Sequence, residues 1–246
     1  KINAFKFEGQ TNGFTNEQLT AVIEDLVGKN LTFNEIQNAA KRIQNFYRDK
    51  GYFLAQAFIP EQEVKEGIIV IFISEGKLDS KEPVKIKKNN LRLKENIPES
   101  YFIEGMRGKF TQKGLERAIL NFNAIPGVEG KVTLKPGEDE YSTKIILEAN
   151  EGKLINGKVS IDNYGNRYTG QNRVSGTAYI NNPLKIGDQI IFNMISAPTG
   201  DFDLIKLDYN LPLRRNGARV SLSANQLDYK IGKDLETSPK SEGNAF

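Results

Sequence analysis

The sequence predicts an α+β fold followed by an all-β region: two β-α-α-β-β units, then about five antiparallel strands. Residues 1–77 carry one set of strand and helix patterns, and the same order returns between residues 83 and 152. After Lys153 the helical period disappears, and apolar residues alternate with polar ones. We therefore expect three parts, which span residues 1–78, 79–152 and 153–246.

The first unit opens with a strand and two helices. Phe5 and Phe7 alternate with polar neighbours, as in a short strand. Thr15 and Thr32 are each followed three residues later by Gln or Glu, which is the capping-box pattern that begins a helix. Apolar residues then recur at intervals of three and four, and this spacing predicts two amphipathic helices.

Two strands complete the first unit. We expect them at Phe53–Pro60 and Ile68–Ser74, joined by a polar turn. The second of these strands is apolar on both faces, which is typical of a strand that is covered on both sides. We therefore place Ile68–Ser74 at the centre of the sheet.

The second unit repeats the first at a nearly constant offset. Val84 and Ile86 take the places of Phe5 and Phe7. The apolar positions of the second helix return at the same separation in sequence. We call this separation the repeat offset. The Glu-Gly-Lys triplet at 75–77 returns at 151–153, at a slightly shorter separation. Features that recur in the same order at one offset indicate a duplicated structural unit.

The region after Lys153 contains five alternating runs, and we expect each to belong to a strand of roughly 9–11 residues, the length that crosses a bilayer at a tilt. They lie around residues 155–161, 174–180, 188–196, 205–211 and 220–225. Two structures fit such runs: a soluble sandwich with its apolar face in a core, or a membrane barrel with lipid outside and a polar lumen. Alternation alone favours the sandwich, whereas the order of the three parts and the motifs below favour the barrel.

Composition excludes several kinds of chemistry. The chain has no Cys and no His, which removes thiol catalysis, the usual zinc sites and histidine general bases. The net charge of +3 is too small to argue for nucleic acid. The carboxylate clusters at 138–140 and 201–203 fall in polar turns. We therefore expect no enzyme, catalytic residue, metal site, cofactor, nucleic-acid partner or small-molecule substrate.

Residues at the end of the second helix carry a family resemblance. Tyr47, Gly51, Tyr52 and Ala55 fit the pattern Y-x-x-x-G-Y-x-x-A, which resembles the signature of POTRA (polypeptide-transport-associated) domains. The two Glu-Gly-Lys triplets are similar to the "EG" that closes such a domain. The resemblance implies two tandem POTRA domains in residues 1–152.

Two tandem POTRA units followed by alternating strands resemble the outer-membrane transporters of two-partner secretion. Asp162–Gly170 is similar to the first barrel hairpin of that family, and Asn182–Leu184 to the turn that follows. Members resemble 16-stranded barrels with a plug helix, whereas only about five strands and no plug helix are recognised here. We therefore expect an N-terminal fragment, which cannot close a barrel by itself.

The resemblance also implies a location and partners. The barrel would lie in the outer membrane among its lipids, with the POTRA domains in the periplasm. The partner would be an unfolded secreted exoprotein, bound through its N-terminal secretion domain. An outer-membrane protein assembly factor is the alternative function, and the presence of only two POTRA units argues for secretion.

The candidate sites follow from the POTRA topology, in which the strand after the second helix lies at the sheet edge. An extended client can add to such an edge as a further strand. The expected client-binding residues are Phe46, Tyr47, Tyr52, Leu54, Gln56, Phe58, Phe122, Val128 and Val132; core packing is the other interpretation of Phe46, Tyr47 and Phe58. The expected lumen-facing residues are Asn156, Lys158, Ser160, Asp162, Arg173, Thr177, Lys206 and Asp208.

Overall fold

The computed structural model describes residues 1–11, 13–106, 110–231 and 242–245. The chain forms two compact units, each assembled from separate stretches of sequence. The first comprises residues 1–86, 102–118 and 132–147, and the second comprises residues 87–101, 119–131 and 148–246.

The first sheet has the strand order β1-β3-β2, with β3 in the centre as expected. β1 runs parallel to β3, and β2 runs antiparallel to it. The strands are β1 (Ala4–Gly9), β2 (Gln56–Phe58) and β3 (Ile68–Ser74); the helices between β1 and β2 are α1 (Asn16–Ile23) and α2 (Phe33–Asp49).

The core of this first α/β unit forms between one face of the sheet and the apolar stripes of the two helices. Alternate residues of a strand point to opposite faces, so the inward residues of β1 and β3 are apolar. The buried side chains include Phe5, Phe7, Ile69, Ile71 and Ile73 from the sheet, and Leu19, Ile23, Ala39, Ala40, Ile43 and Tyr47 from the helices.

Both helices begin at the expected capping boxes. The side chain of Thr15 accepts a hydrogen bond from the backbone of Gln18, and Thr32 accepts one from Glu35; each partner side chain bonds back. α1 is short and continues into a 3-10 turn at Glu24–Leu26. Among the described residues, no helix combines the length and apolar character needed to cross a membrane.

The predicted length of the strand at Phe53–Pro60 is wrong, because β2 covers only Gln56–Phe58. Gly51 has a φ of 93°, a conformation that turns the chain sharply after α2. Backbone bonds of this turn, from Ala55 N–H to Tyr52 O among them, keep the preceding residues out of the ladder.

A second α/β arrangement repeats this order of elements. The strands are β4 (Lys77–Leu78), β5 (Val84–Asn89), β6 (Val128–Pro136) and β7 (Ser142–Glu151), and the helices are α3 (Asn96–Met106) and α4 (Gln112–Asn123). β7 pairs with β4, β5 and β6. The Thr111 hydroxyl accepts from Gly114 N–H at 3.2 Å, so α4 begins with a capped turn like its counterpart α2.

After residue 153, the part of the chain that the structure describes forms one six-stranded antiparallel sheet in the order β13-β12-β11-β10-β9-β8. Five strands match the alternating runs: β8 (Ile155–Asp162), β9 (Arg173–Asn181), β10 (Gln189–Ser196), β11 (Phe202–Pro212) and β12 (Arg219–Lys230). A sixth strand, β13 (Glu242–Ala245), was not predicted, because its four residues show no alternation of apolar side chains.

The register gives this sheet one apolar and one polar face. Residues directly opposite each other in an antiparallel ladder lie on the same face. Val159 is opposite Gly176, Gly176 is opposite Met194, and Met194 is opposite Ile205, so an apolar row runs across four strands. Val159 is 77% exposed, so in the described part of the chain this apolar row does not lie in a sandwich core.

Candidate client-binding site

β2 is an edge strand, and its central residue turns its backbone outward. Ile73, which lies opposite Ala57, accepts a hydrogen bond from Gln10 N–H at 2.8 Å on the β1 side. Alternate residues of an antiparallel pair bond across the ladder, so the backbone of Ala57 faces away from β3. The free side of β2 therefore presents the N–H and C=O of Ala57 next to α2.

The end of β2 is closed by a side-chain amide. Pro60 continues the register to a position opposite Val70, where it has no N–H to offer. Gln62 replaces it: the Gln62 amide donates to Val70 O at 2.9 Å and accepts from Val70 N–H at 2.8 Å. The ladder between β2 and β3 therefore ends at a side-chain amide, and the edge strand itself is only three residues long, with Ala57 at its centre.

An aromatic cluster covers the outer face of the first sheet. The rings of Phe58 and Phe72 lie 5.3 Å apart, and the ring of Tyr141 lies 6.0 and 5.5 Å from them. Tyr141 belongs to the turn between β6 and β7, and desolvation is the main cause that raises the pKa of its phenol. A cavity of about 430 Å³ beside the cluster is lined by Leu54, Gln56 and the same turn.

Four of the expected client-binding residues are buried. They pack in the core, so the expectation that they contact a client directly is corrected. Tyr47 and Phe122 are fully buried, and Tyr52 and Val128 are nearly so. Desolvation raises the pKa of the Tyr47 phenol well above its usual range. These side chains lie on the inner faces of the helices and strands, so they stabilise the units instead of lining an open groove.

The other expected residues keep accessible surface. Phe46, Leu54, Phe58 and Val132 are half-buried, and Gln56 is exposed. Phe46 packs edge-on against Phe14 with ring centroids 4.8 Å apart.

A second apolar groove, at the start of α2, was not predicted from the sequence. It has a volume of about 380 Å³ and is lined by Ile36, Ile59 and Val64 among others. Phe33 stands at its rim and is 64% exposed. The available signal was an aromatic residue at the first position of α2, one turn before the apolar stripe begins.

The glutamates of the two Glu-Gly-Lys triplets perform the same task. The carboxylate of Glu75 accepts from Gly13 N–H at 2.6 Å, and that of Glu151 accepts from Arg92 N–H at 2.6 Å. Arg92 follows Gly13 by the same repeat offset that separates Val84 from Phe5. In each of the two α/β arrangements, the glutamate of the triplet therefore hydrogen-bonds the loop after the first strand to the end of the last strand.

Glu151 makes further contacts within the second compact unit. Its carboxylate also accepts from the Arg92 guanidinium and from Asn182 Nδ2, both at 2.7 Å. Asn182 Nδ2 is 3.2 Å from the carbonyl oxygen of Pro126. The turn between β9 and β10 is therefore bonded to the end of the second α/β arrangement.

Asp79 ties the segment between β4 and β5 to the turn between β6 and β7. Its carboxylate accepts backbone N–H groups from Glu82 at 2.9 Å and Glu138 at 2.6 Å, with Lys81 and Asp139 as further donors. The bond from Glu82 is the largest of the causes that hold the pKa of Asp79 well below its usual range.

The residues expected to face a lumen share the polar face of the six-stranded sheet. Cross-strand pairing places them together there: Asn156, Lys158, Ser160 and Asp162 on β8, Arg173 and Thr177 on β9, and Lys206 and Asp208 on β11. The Arg173 guanidinium is 2.8 Å from the Asp162 carboxylate, and Lys206 Nζ is 3.0 Å from that of Asp208.

Two family models match the chain over different parts. Residues 1–76 match the ShlB-type POTRA domain, and residues 141–245 match the haemolysin secretion/activation protein family ShlB/FhaC/HecB. The heme/hemopexin transporter protein HuxB of Haemophilus influenzae is 26% identical over 230 residues, which cover 93% of this chain and 40% of HuxB. The chain thus spans well under half the length of this relative.

Solved structures show the same fold. CdiB from Escherichia coli superposes with a TM-score of 0.80 at 18% identity, over 99% of this chain and 44% of CdiB. BamA from Haemophilus ducreyi, in a form lacking POTRA domains 1–3, superposes with a TM-score of 0.52 at 14% identity. The superposition covers 99% of this chain and 46% of the BamA chain. The curated CdiB of E. coli, 25% identical over 71% of this chain and 29% of its own length, is named an outer membrane transporter.

These likenesses confirm the expected fold class, POTRA-like α/β units followed by antiparallel strands, and the expected outer-membrane location. They also confirm the resemblance to two-partner secretion transporters: residues 1–76 match the model of the ShlB-type POTRA domain, and residues 141–245 match that of the haemolysin secretion/activation proteins ShlB/FhaC/HecB.

Proposed function

We propose that this chain is the N-terminal part of an outer-membrane translocator of two-partner secretion. Its POTRA units receive an unfolded exoprotein from the periplasm by β-strand addition and deliver it to a barrel pore. The observation that carries this proposal is the outer edge of β2, which no strand of the described residues covers and where the backbone of Ala57 faces outward beside α2.

Strand addition suits a client that has not yet folded. The main chain of an extended segment gains hydrogen bonds from the edge whatever its sequence, and neighbouring pockets give modest selectivity. Gln56 and Phe58 flank Ala57 on the outer face, and Phe46 and Leu54 offer partly exposed apolar surface nearby. The partner we assign is a secreted exoprotein with an N-terminal secretion domain.

The six-stranded sheet supports the delivery step. Its apolar face fits contact with outer-membrane lipid, and its polar face, which carries Lys158, Arg173 and Lys206, fits a water-filled lumen. β11 and β12, of 11 and 12 residues, are long enough to cross a bilayer. We assign residues 1–78 and 79–152 to two POTRA domains and residues 153–246 to the first strands of the barrel.

The proposed function requires no catalysis, cofactor, nucleic acid or small-molecule substrate. Every role assigned above is one of pairing, packing or solvation. The relatives that match most of this chain carry names of transporters, which agrees with this assignment.

A calorimetric titration tests the proposal. The titrant is the N-terminal secretion domain of the secreted protein encoded beside the transporter gene, and the sample is the full-length transporter in detergent. We expect saturable binding at micromolar concentration. A control titrant from an unrelated secreted protein should give no signal, and absence of binding by the cognate domain at high micromolar concentration contradicts the proposal.

A further inference from the structure

The outward N–H of Ala57 already has a partner within the chain. Gln44, on α2, accepts this hydrogen bond through its side-chain oxygen at 3.3 Å. The geometry is that of a side-chain amide occupying the place of a neighbouring strand, because an added strand bonds through the same kind of carbonyl oxygen. The edge of β2 is therefore occupied at its centre in the structure without a client.

The second α/β arrangement contains the same device. Asn123, on α4, accepts from Gly130 N–H at 2.7 Å and donates to Gly130 O at 3.1 Å, so it bonds both backbone groups of one residue of β6. Asn123 follows Gln44 by the repeat offset, the separation that also relates Val84 to Phe5. The position that faces the edge strand thus carries a primary amide in both copies.

We propose that Gln44 and Asn123 are edge gates: each amide holds the backbone of an edge strand, and a client strand must displace it before adding. The proposal rests on the proposed function for the identity of the client, and it adds the residues that regulate access. Closing an unpaired edge also limits pairing with wrong strands, which is the common hazard of exposed edges.

The two gates differ in the number of bonds, and the difference predicts an order of use. Gln44 makes one bond of 3.3 Å to β2, whereas Asn123 makes two shorter bonds to β6. Displacing one bond costs less than displacing two. The client strand should therefore add first to β2 of the first POTRA domain.

Substitutions at Gln44 change the gate in opposite directions. Gln44→Ala removes the competing acceptor, so the secretion domain should bind roughly three- to tenfold more tightly, the range that one net hydrogen bond supplies. Gln44→Glu keeps an acceptor and gives it a charge, so binding should weaken, because hydrogen bonds to charged groups are stronger. Gln37→Ala, on an exposed position of the same helix, is the matched control and should change nothing.

Amide hydrogen exchange of the client-free transporter gives a readout that does not depend on the partner. In Gln44→Ala the exchange at Ala57 should be roughly three- to tenfold faster than in the wild type, and in Asn123→Ala the exchange at Gly130 should be faster still. Gln37→Ala should leave both rates unchanged. Unchanged exchange at Ala57 in Gln44→Ala overturns the gate.

The outcomes separate the two proposals. If the wild type does not bind the secretion domain, the proposed function fails, and exchange alone judges the gate. If the wild type binds and Gln44→Ala binds equally or more weakly, the gate is overturned, because Gln44 is then a bystander or a contact of the client. Tighter binding together with faster exchange in Gln44→Ala supports it.

Discussion

Replacing Ala57 by proline tests whether the edge of β2 receives another strand. Proline removes the outward N–H and places its ring on the free side of the strand. The β2–β3 ladder should tolerate the change, because Ala57 bonds the side chain of Gln44 instead of β3. Proline is accepted at edge positions whose N–H faces outward.

The expected magnitudes differ for folding and binding. Loss of the bond to Gln44 costs about 0.5–1.5 kcal/mol, and the stiffer unfolded chain returns about 0.4–1 kcal/mol. The free energy of unfolding should therefore change by less than about 1 kcal/mol. The client loses one main-chain hydrogen bond and keeps an unpaired carbonyl, about 1.5–3 kcal/mol together, but it no longer has to displace Gln44, which returns about 0.5–1.5 kcal/mol; binding should therefore weaken by roughly 3- to 30-fold.

The assay is the calorimetric titration of the full-length transporter with the secretion domain, accompanied by a thermal melt of each variant. Ala57→Ser is the matched control, because it retains the N–H and adds only a hydroxyl. It should bind like the wild type. Wild-type affinity in a folded Ala57→Pro variant would refute strand addition at β2.

Three further predictions concern the rest of the chain. Asp79→Asn should lower the melting temperature at neutral pH. Because the pKa of Asp79 is depressed in the folded state, its carboxylate stabilises the wild type above about pH 4, and this stabilisation should be lost as the pH falls further. Thermal melts recorded from about pH 7 downward should therefore show the two proteins converging in acid. Tyr141→Ala should destabilise the chain by about 1–3 kcal/mol in urea denaturation by removing two ring contacts, whereas Tyr141→Phe should not. Val159→Arg should reduce membrane integration, at a cost of about 2–4 kcal/mol near the bilayer midplane, whereas Ser160→Arg on the polar face should not, as fractionated outer membranes will show.

Each of these predictions has an outcome that contradicts it. An acid profile of Asp79→Asn that parallels the wild type would remove the role of the Asp79 carboxylate. Equal stability of Tyr141→Ala and Tyr141→Phe would show that the aromatic cluster contributes little. Equal integration of the Val159→Arg and Ser160→Arg variants would contradict the assignment of the two sheet faces.

Local sequence patterns predicted most of the helices and strands. The capping boxes at Thr15 and Thr32 predicted both helix starts, because a cap involves residues only three apart. The doubly apolar run Ile68–Ser74 predicted the central strand. Alternation predicted β8 to β12, because each strand has two different faces along its whole length.

Features that depend on distant partners were not predictable in this way. Burial of Tyr47 and Phe122 depends on which face of the helix meets the sheet, and an aromatic residue fits both a core and a groove. The bonds of Asp79 to the backbone of Glu138 and Asp139 join parts of the chain that lie far apart in sequence. The amide at Gln44 gave no signal, since its role appears only when β2 is placed beside α2.

The most direct test of the central claim is site-specific disulfide cross-linking in the full-length transporter. Residues 1–246 contain no Cys, so a single substitution introduces the only thiol in this part of the protein. Gln56→Cys lies on edge strand β2, and Lys6→Cys, the control, lies on the opposite edge strand β1. With single cysteines scanned along the secretion domain, Gln56→Cys should form adducts at alternate positions of one short segment, and Lys6→Cys should form none. Equal cross-linking at both edges, or none at Gln56→Cys, would contradict capture of the client by strand addition.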